Sequence, residues 1–195
     1  MNSTTFINST ILTQELGVSL MNLIGIKSNS AITKVYQASI NGFGAKDFHS
    51  KVGGIAGTLT VIKSTNGNIF GGFTKINWGL LPVGYFLDSS AFIFSLINQQ
   101  NYPCKLNVLS TTSYSIYTGP SIWGPVFGNT YSKDIGIYDQ SNSQIQSSSN
   151  LGFAYQLPQN ITIDTKSFFA GSYNFQTLEI EVYTGNNFYQ KNSQI

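Results

Sequence analysis

Thr58-Leu-Thr-Val-Ile-Lys-Ser64-Thr-Asn66-Gly67-Asn-Ile-Phe70-Gly71-Gly72-Phe-Thr74 is the stretch on which the reading of the fold turns. Thr58 to Ser64 alternates, with Leu59 and Val61 on one face, as a β-strand does. Asn66-Gly67 supplies two residues that tolerate positive φ, the chemistry of a tight hairpin turn, and Asn68 to Thr74 returns as the partner strand. Gly71-Gly72 removes two adjacent side chains from that return strand, which predicts a bulge or the close approach of another backbone or ring.

Outward from the hairpin the short period persists. Ile32 to Ser39 reads as a strand, Asn41-Gly42-Phe43-Gly44 as a turn, and Ala45 to Val52 as a short helix closed by Gly53-Gly54. Further strands are predicted at Ala91 to Leu96, Lys105 to Leu109, Tyr114 to Thr118 and Ile135 to Asp139, with the clearest at Phe175 to Tyr183. Ser141 to Ser149 reads as a polar surface loop. Upstream, Leu12, Leu16, Leu20, Leu23 and Ile24 fall at helical spacing, and Gly25 supplies a stop. The expected fold is mainly β with helices (α+β), a two-sheet antiparallel β-sandwich with an N-terminal helix. It divides into a leader and amphipathic helix (1–31), a domain (32–184) and a tail (185–195). The first ten residues are expected to be a loose leader, and the helix to pack its apolar stripe on the domain.

Composition narrows the function. Hydrophobic residues at 41% give enough apolar material for a core, so a disordered chain is excluded. The ten cations are all lysine, spread along the chain for a net charge of +2, so neither the arginine fork nor the basic block of a nucleic-acid binder is present. Cys104 and His49 are each alone, which rules out an internal disulfide and a closed zinc site of Cys and His ligands. The beginning of the chain lacks the pattern of a secretory signal, and Ala91 to Ile97 is too short to span a bilayer. A cytoplasmic protein without a transmembrane segment is therefore expected, and the sequons at Asn2, Asn8 and Asn160 read as chance matches.

Three catalytic templates come close and fail. Gly67 and Gly72 are spaced like a phosphate loop, but Phe73-Thr74 stands where Lys and Ser/Thr are needed. Gly42-Phe-Gly44 opens a dinucleotide fingerprint whose third glycine position is Asp47. Gly119-Pro-Ser121-Ile-Trp-Gly124 is misspaced for a nucleophile elbow. Cys104 reads as a buried, inert thiol, and His49 as a partly exposed helical histidine flanked by Asp47 and Lys51. Glu179 and Glu181 are two of only three glutamates; alternation puts Leu178, Ile180 and Val182 inward and both carboxylates on the opposite, solvated face. Their spacing along one strand suits neither glycosidase geometry.

A set of motifs in order gives the chain a family resemblance. They are Tyr36-Gln-Ala-Ser39-Ile-Asn-Gly42-Phe43 with Lys46-Asp47-Phe48-His49, then Thr58 to Lys63 with Asn66-Gly67-Asn-Ile-Phe70-Gly71-Gly72-Phe73, and Ala91-Phe92-Ile-Phe94-Ser95-Leu96. Gly124-Pro-Val-Phe127-Gly128 leading into Asp134-Ile135, Ser147-Ser-Ser-Asn150-Leu-Gly152, and Leu178 to Tyr183 complete the set. Over roughly Ile32 to Thr184 the chain resembles the TLDc domain family. The resemblance implies a β-sandwich with helices and no firmly established catalytic residues; no cofactor and no metal site are expected. It also implies protein partners, since family members are associated with oxidative-damage protection and with binding the vacuolar proton-pumping ATPase. Most matched residues imply structural roles: Ser39, Gly42, Phe43, Phe48, Gly67, Phe70, Gly71, Gly72, Phe92, Phe127, Gly128, Asn150 and Gly152. Asp47, His49, Glu179 and Glu181 are the polar matches suited to contacting a partner. The leading expectation is a non-enzymatic interaction module that binds a large protein assembly and sits peripheral to a membrane complex; the alternative is a structural subunit built permanently into a multi-protein complex. A redox or hydrolytic enzyme ranks last.

Overall fold

The computed structural model describes residues 6–26, 32–119, 122–185 and 188. The expectations on Asn2 and the first half of the leader, on Pro120-Ser121 of the elbow template and on nearly all of the tail lie outside these residues.

The N-terminal helix, α1 (Gln14–Ile24), starts where the Thr13 hydroxyl accepts the Leu16 N–H and stops at Gly25, whose φ of 78° is left-handed. After β1 (Thr33–Gln37) come the short α2 (Ala38–Asn41) and α3 (Ala45–Val52). The remaining strands are β2 (Thr58–Ser64), β3 (Ile69–Thr74), β4 (Gly84–Phe86), β5 (Phe92–Ile97), β6 (Cys104–Asn107), β7 (Ile116–Thr118), β8 (Trp123–Gly128), β9 (Lys133–Tyr138), β10 (Ser147–Ser148), β11 (Asn174–Phe175) and β12 (Thr177–Thr184). They form two six-stranded antiparallel sheets, ordered β1-β12-β2-β3-β5-β6 and β11-β10-β9-β8-β7-β4. β12 thus lies between β1 and β2, pairing Val182 with both Tyr36 and Thr60.

The β2–β3 hairpin forms in the expected register, Thr58 opposite Thr74 and Lys63 opposite Ile69. Its turn differs from the expectation: Gly67 alone has positive φ, at 84°. The Gly67 N–H donates to Ser64 O at 3.0 Å and the Ser64 N–H to Asn68 O at 3.0 Å. This is a turn closed by one left-handed residue, which needs only the glycine. Gly71 and Gly72 are a close approach and not a bulge, since both stay in ladder register. A Cβ on Gly72 would lie 2.7 Å from the Phe127 ring of the facing sheet, and one on Gly71 1.9 Å from Thr60 O.

Between the sheets, rings pack edge to face: Phe48 on Tyr36 and on Trp78, Trp78 on Phe127, and Phe70 on Phe175. The Trp78 Nε1–H donates to the Thr58 hydroxyl at 2.9 Å, so the buried indole keeps its hydrogen bond. The other face of the first sheet carries a second core. There Leu59, Val61, Phe73, Phe92, Phe94 and Tyr183 lie under Phe6, Ile11, Leu12, Leu20, Met21 and Ile24. The helix therefore packs on the domain as its stripe predicts, but the leader is corrected: its described part is an arm that buries Phe6 edge to face on Tyr183. The Ser141 to Ser149 loop is corrected at its ends, while 142–146 are exposed as expected. Ser141, Ser147 and Ser149 are fully buried, and the Ser141 hydroxyl bonds to that of Thr177.

Candidate functional site

β12 presents Ile180 and Val182 to the inter-sheet core and Glu179 and Glu181 to the opposite face, as alternation requires. That face is not solvated, and Leu178 is half-exposed instead of buried. Glu181 is fully buried and Glu179 nearly so, because the arm closes over both. Glu181 Oε1 accepts the Thr10 N–H at 2.8 Å and the Lys34 ammonium at 3.1 Å; its Oε2 accepts the Ser9 hydroxyl and, at 2.7 Å, the Tyr183 phenol. Glu179 Oε1 accepts the N–H groups of Ser39 and Ile180, both at 3.0 Å. Its Oε2 accepts the Ser39 hydroxyl and the Gln37 amide.

Burial pushes the Glu181 carboxyl up, but the donations from Ser9, Thr10, Tyr183 and Lys34 together outweigh it and hold the group below its ordinary value. Burial, and then the Glu181 charge, drive the Tyr183 phenol well above its ordinary value. An ionised carboxylate whose oxygens are all filled by protein donors has no lone pair aimed at a substrate. The pair acts as an anchor that fixes residues 9–10 and 37–39 to β12.

Asp47 and His49 take no part in this network. Asp47 Oδ2 accepts the Gly44 N–H at 3.1 Å, fastening the first turn of α3. The same carboxylate sits 2.1 Å from where a Cβ on Gly42 would be, and Gly42 has φ 106°, so glycine is required there. The half-buried His49 places Nε2 2.8 Å from Trp123 O, tying α3 to β8, and its buried Nδ1 meets no hydrogen-bond partner among the described residues. Burial lowers its pKa, opposed by the carbonyls of Trp123 and Trp78. Cys104 is buried, and burial pushes its thiol up to about 11, which leaves it protonated and inert at neutral pH. Of the matched aromatics, Phe48, Phe70, Phe92 and Phe127 are buried and Phe43 is half-buried.

The sequence reading passed over Asp134. It is fully buried on β9, where it accepts the N–H groups of Gly152, Phe153 and Ala154 at 2.8, 3.2 and 2.9 Å. Burial, working against those donors, raises its carboxyl to about 6. Two segments quoted separately as motifs, Asp134-Ile135 and Asn150-Leu-Gly152, thereby prove to be one structural unit. Nothing in their spacing announces it.

Among the described residues no group of three or more His, Cys, Asp or Glu side chains is arranged to hold a metal, and no helix is long and apolar enough to cross a membrane. β4 closes the second sheet and pairs, among the described strands, only with β7. On either side of it in the chain, Leu81 is 68%, Val83 44% and Leu87 49% exposed.

A search of curated proteins finds no match to the chain. The family model of the TLDc domain matches residues 5–185, starting at the arm that covers the glutamates and running through β12. With two antiparallel sheets, the hairpin in register and the arm all inside that match, the chain belongs to the TLDc domain family.

Proposed function

We propose that this TLDc chain is a non-enzymatic protein-interaction module that docks on a large protein assembly through the β4 edge of its second sheet. The observation that carries the reading is the pairing of an unfilled strand edge with exposed Leu81, Val83 and Leu87. A strand edge with a free side and exposed apolar side chains next to it is what β-augmentation and protein docking use. The polar residues that invited a catalytic reading are meanwhile occupied in holding the fold together.

The vacuolar proton-pumping ATPase is the assembly that the family's associations put forward, and a cytoplasmic place beside a membrane complex goes with it. Glu179 and Glu181 would meet a partner only if the arm lifted, and Asp47 and His49 are half-buried, so the β4 edge is the better contact face.

The test is affinity capture from native extract, read by mass spectrometry, with the wild-type chain and a Leu81→Asp/Val83→Asp variant. The variant should keep its melting temperature and lose the captured assembly. Undiminished capture would remove the β4 edge from the reading. Peroxide turnover by the pure protein, abolished by Cys104→Ser, would overturn the non-enzymatic assignment. On gel filtration an interaction module runs as a soluble monomer; aggregation without partners would favour a permanently built-in subunit.

A further inference from the structure

At one end of the second sheet the loops after β6, after β8 and around Gly152 enclose an open cleft of about 410 Å³. Its wall holds no charged side chain: hydroxyls of Thr111, Ser113 and Thr130 alternate with the rings of Tyr114, Tyr131 and Phe153. Tyr131 is 86% exposed, and Tyr114 and Phe153 are each about 40% exposed. The aromatic surface continues out of the cleft, because Tyr114 packs 6.1 Å from Tyr85 of β4, which packs 4.9 Å from Tyr117 of β7 directly across the strand pair. The phenol groups of Tyr85, Tyr114, Tyr117 and Tyr131 meet no hydrogen-bond partner among the described residues.

The cleft is held in shape before any ligand arrives. Asn129 is buried and bridges two of the loops, its amide donating to Phe153 O at 2.6 Å and its carbonyl accepting the N–H groups of Tyr131 and Ser132. Asp134 fixes Gly152 and Phe153 from behind. Thr112 accepts the Tyr114 N–H and donates to Tyr114 O. Walls fixed in this way spare a ligand the entropy of ordering them.

We infer that this cleft and the tyrosine row leading from it bind an uncharged, proline-rich segment of a partner protein in the polyproline II conformation, an inference that rests on the interaction-module reading above. An extended proline-rich segment has no internal hydrogen bonds, so its carbonyls are free to accept from the unpartnered phenols. Its pyrrolidine rings pack between aromatic rings, the mode by which aromatic-lined grooves take such segments. The neutral wall offers no ion pair to an acidic, basic or phosphorylated ligand. A saccharide suits the site less well. Amides or carboxylates commonly fork pairs of sugar hydroxyls, and Asn129, the cleft's one amide, is already engaged on both of its polar atoms.

The test is titration of the full-length chain with an acetylated, amidated oligoproline, against a Gly-Ser peptide of equal length and against cellotriose, followed by amide chemical shifts. The inference expects saturable shifts at 111–114, 129–131 and 152–153 for the oligoproline alone. Tyr117→Ala and the highly exposed Tyr131→Ala should each weaken binding about tenfold with the melting temperature kept. No saturable shift, shifts confined elsewhere, an equal response to the Gly-Ser peptide, or a response to cellotriose in its place would overturn it. If oligoproline fails while extract capture is still lost in Leu81→Asp/Val83→Asp, this inference falls and the interaction-module reading stands.

Discussion

On the face of the first sheet that meets the second, Ile62, Phe70, Ile180 and Val182 enter a core made of rings and aliphatic side chains. On the opposite face the same strands place Leu59, Val61, Phe73 and Tyr183 under the N-terminal arm, and set two carboxylates among them. The inner cover comes from many elements far apart in the chain, while the outer cover comes mostly from one continuous segment, 6–26, joined by Ile32, Lys34 and Phe188. The inner face is selective by shape: Gly72 exists there because Phe127 needs the room. The outer face is selective by hydrogen bonding, since Ser9, Thr10 and Lys34 are seated by the glutamates beneath them. A layer that is apolar on one side and anchored by charge on the other therefore has a definite register for its cover, which an all-apolar stripe would leave free to slide.

The most severe way to break the comparison is to remove the outer cover. Deleting residues 1–26 uncovers a whole apolar face and withdraws Phe6, Ile11, Leu12, Leu20, Met21 and Ile24 from burial. At ~1.5–3 kcal/mol per buried side chain the six come to ~9–18 kcal/mol, as large as a typical domain's whole stability. Light scattering should show aggregation, and a soluble, cooperatively melting product would mean that the outer core is dispensable. Next comes overpacking of the inner face. Gly72→Val drives a side chain into the Phe127 ring and should cost ~3 kcal/mol or more in denaturant melts; an unchanged melt would show that the sheets part easily there. The third attacks the anchor itself. Glu179→Gln/Glu181→Gln sets amide N–H groups against the donors that now face carboxylate, and it removes the Lys34 ion pair. A loss of about 2–4 kcal/mol is expected, and a near-neutral result would make the anchor ornamental.

The gentlest test uses pH. Glu181 is held below its ordinary value of 4.5, so its contribution is whole above that pH and is lost as the pH falls through the lower folded value. Asp134 works in the opposite sense. Unfolded chains ionise it near 3.8 and the folded protein near 6, so the folded state holds the extra proton in between and stability declines as the pH rises across that window. Urea melts at a series of pH values should show Asp134→Asn flattening that decline, a swing on the order of 3 kcal/mol, and Glu181→Gln flattening the acid-side loss. A rise in stability contributed by Asp134 over the same window would reverse the assignment.

The hairpin was legible because two independent signals agreed, alternation in Thr58 to Ser64 and a turn at Asn66-Gly67. α3 was legible from its glycine punctuation at both ends. β8 was missed because Pro125 and two glycines interrupt a run that otherwise reads apolar; in the sheet Val126 and Phe127 still pair with Gly136 and Ile135, between two register shifts. The glutamates expose a deeper limit. Period two states which residues share a face, and it assigned Glu179 and Glu181 correctly to the side away from Ile180. It says nothing of what lies over that side. The arm's role rests on contacts between residues 9–10 and 181, separated by almost the whole chain, and no local pattern carries such a pairing.

The insertion of β12 between β1 and β2 sets a timetable for synthesis. A ribosome adding ~5–20 residues per second delivers β1, β2 and every other strand before the one that joins the first two. Until β12 emerges, the growing chain carries β2 as an unpaired edge and the glutamate anchor does not yet exist, so the arm has nowhere to seat. Nascent chains in that interval expose the edge that holdase chaperones bind, and a circular permutant that delivers β12 ahead of the arm, α1 and β1 should shorten their dependence on chaperones.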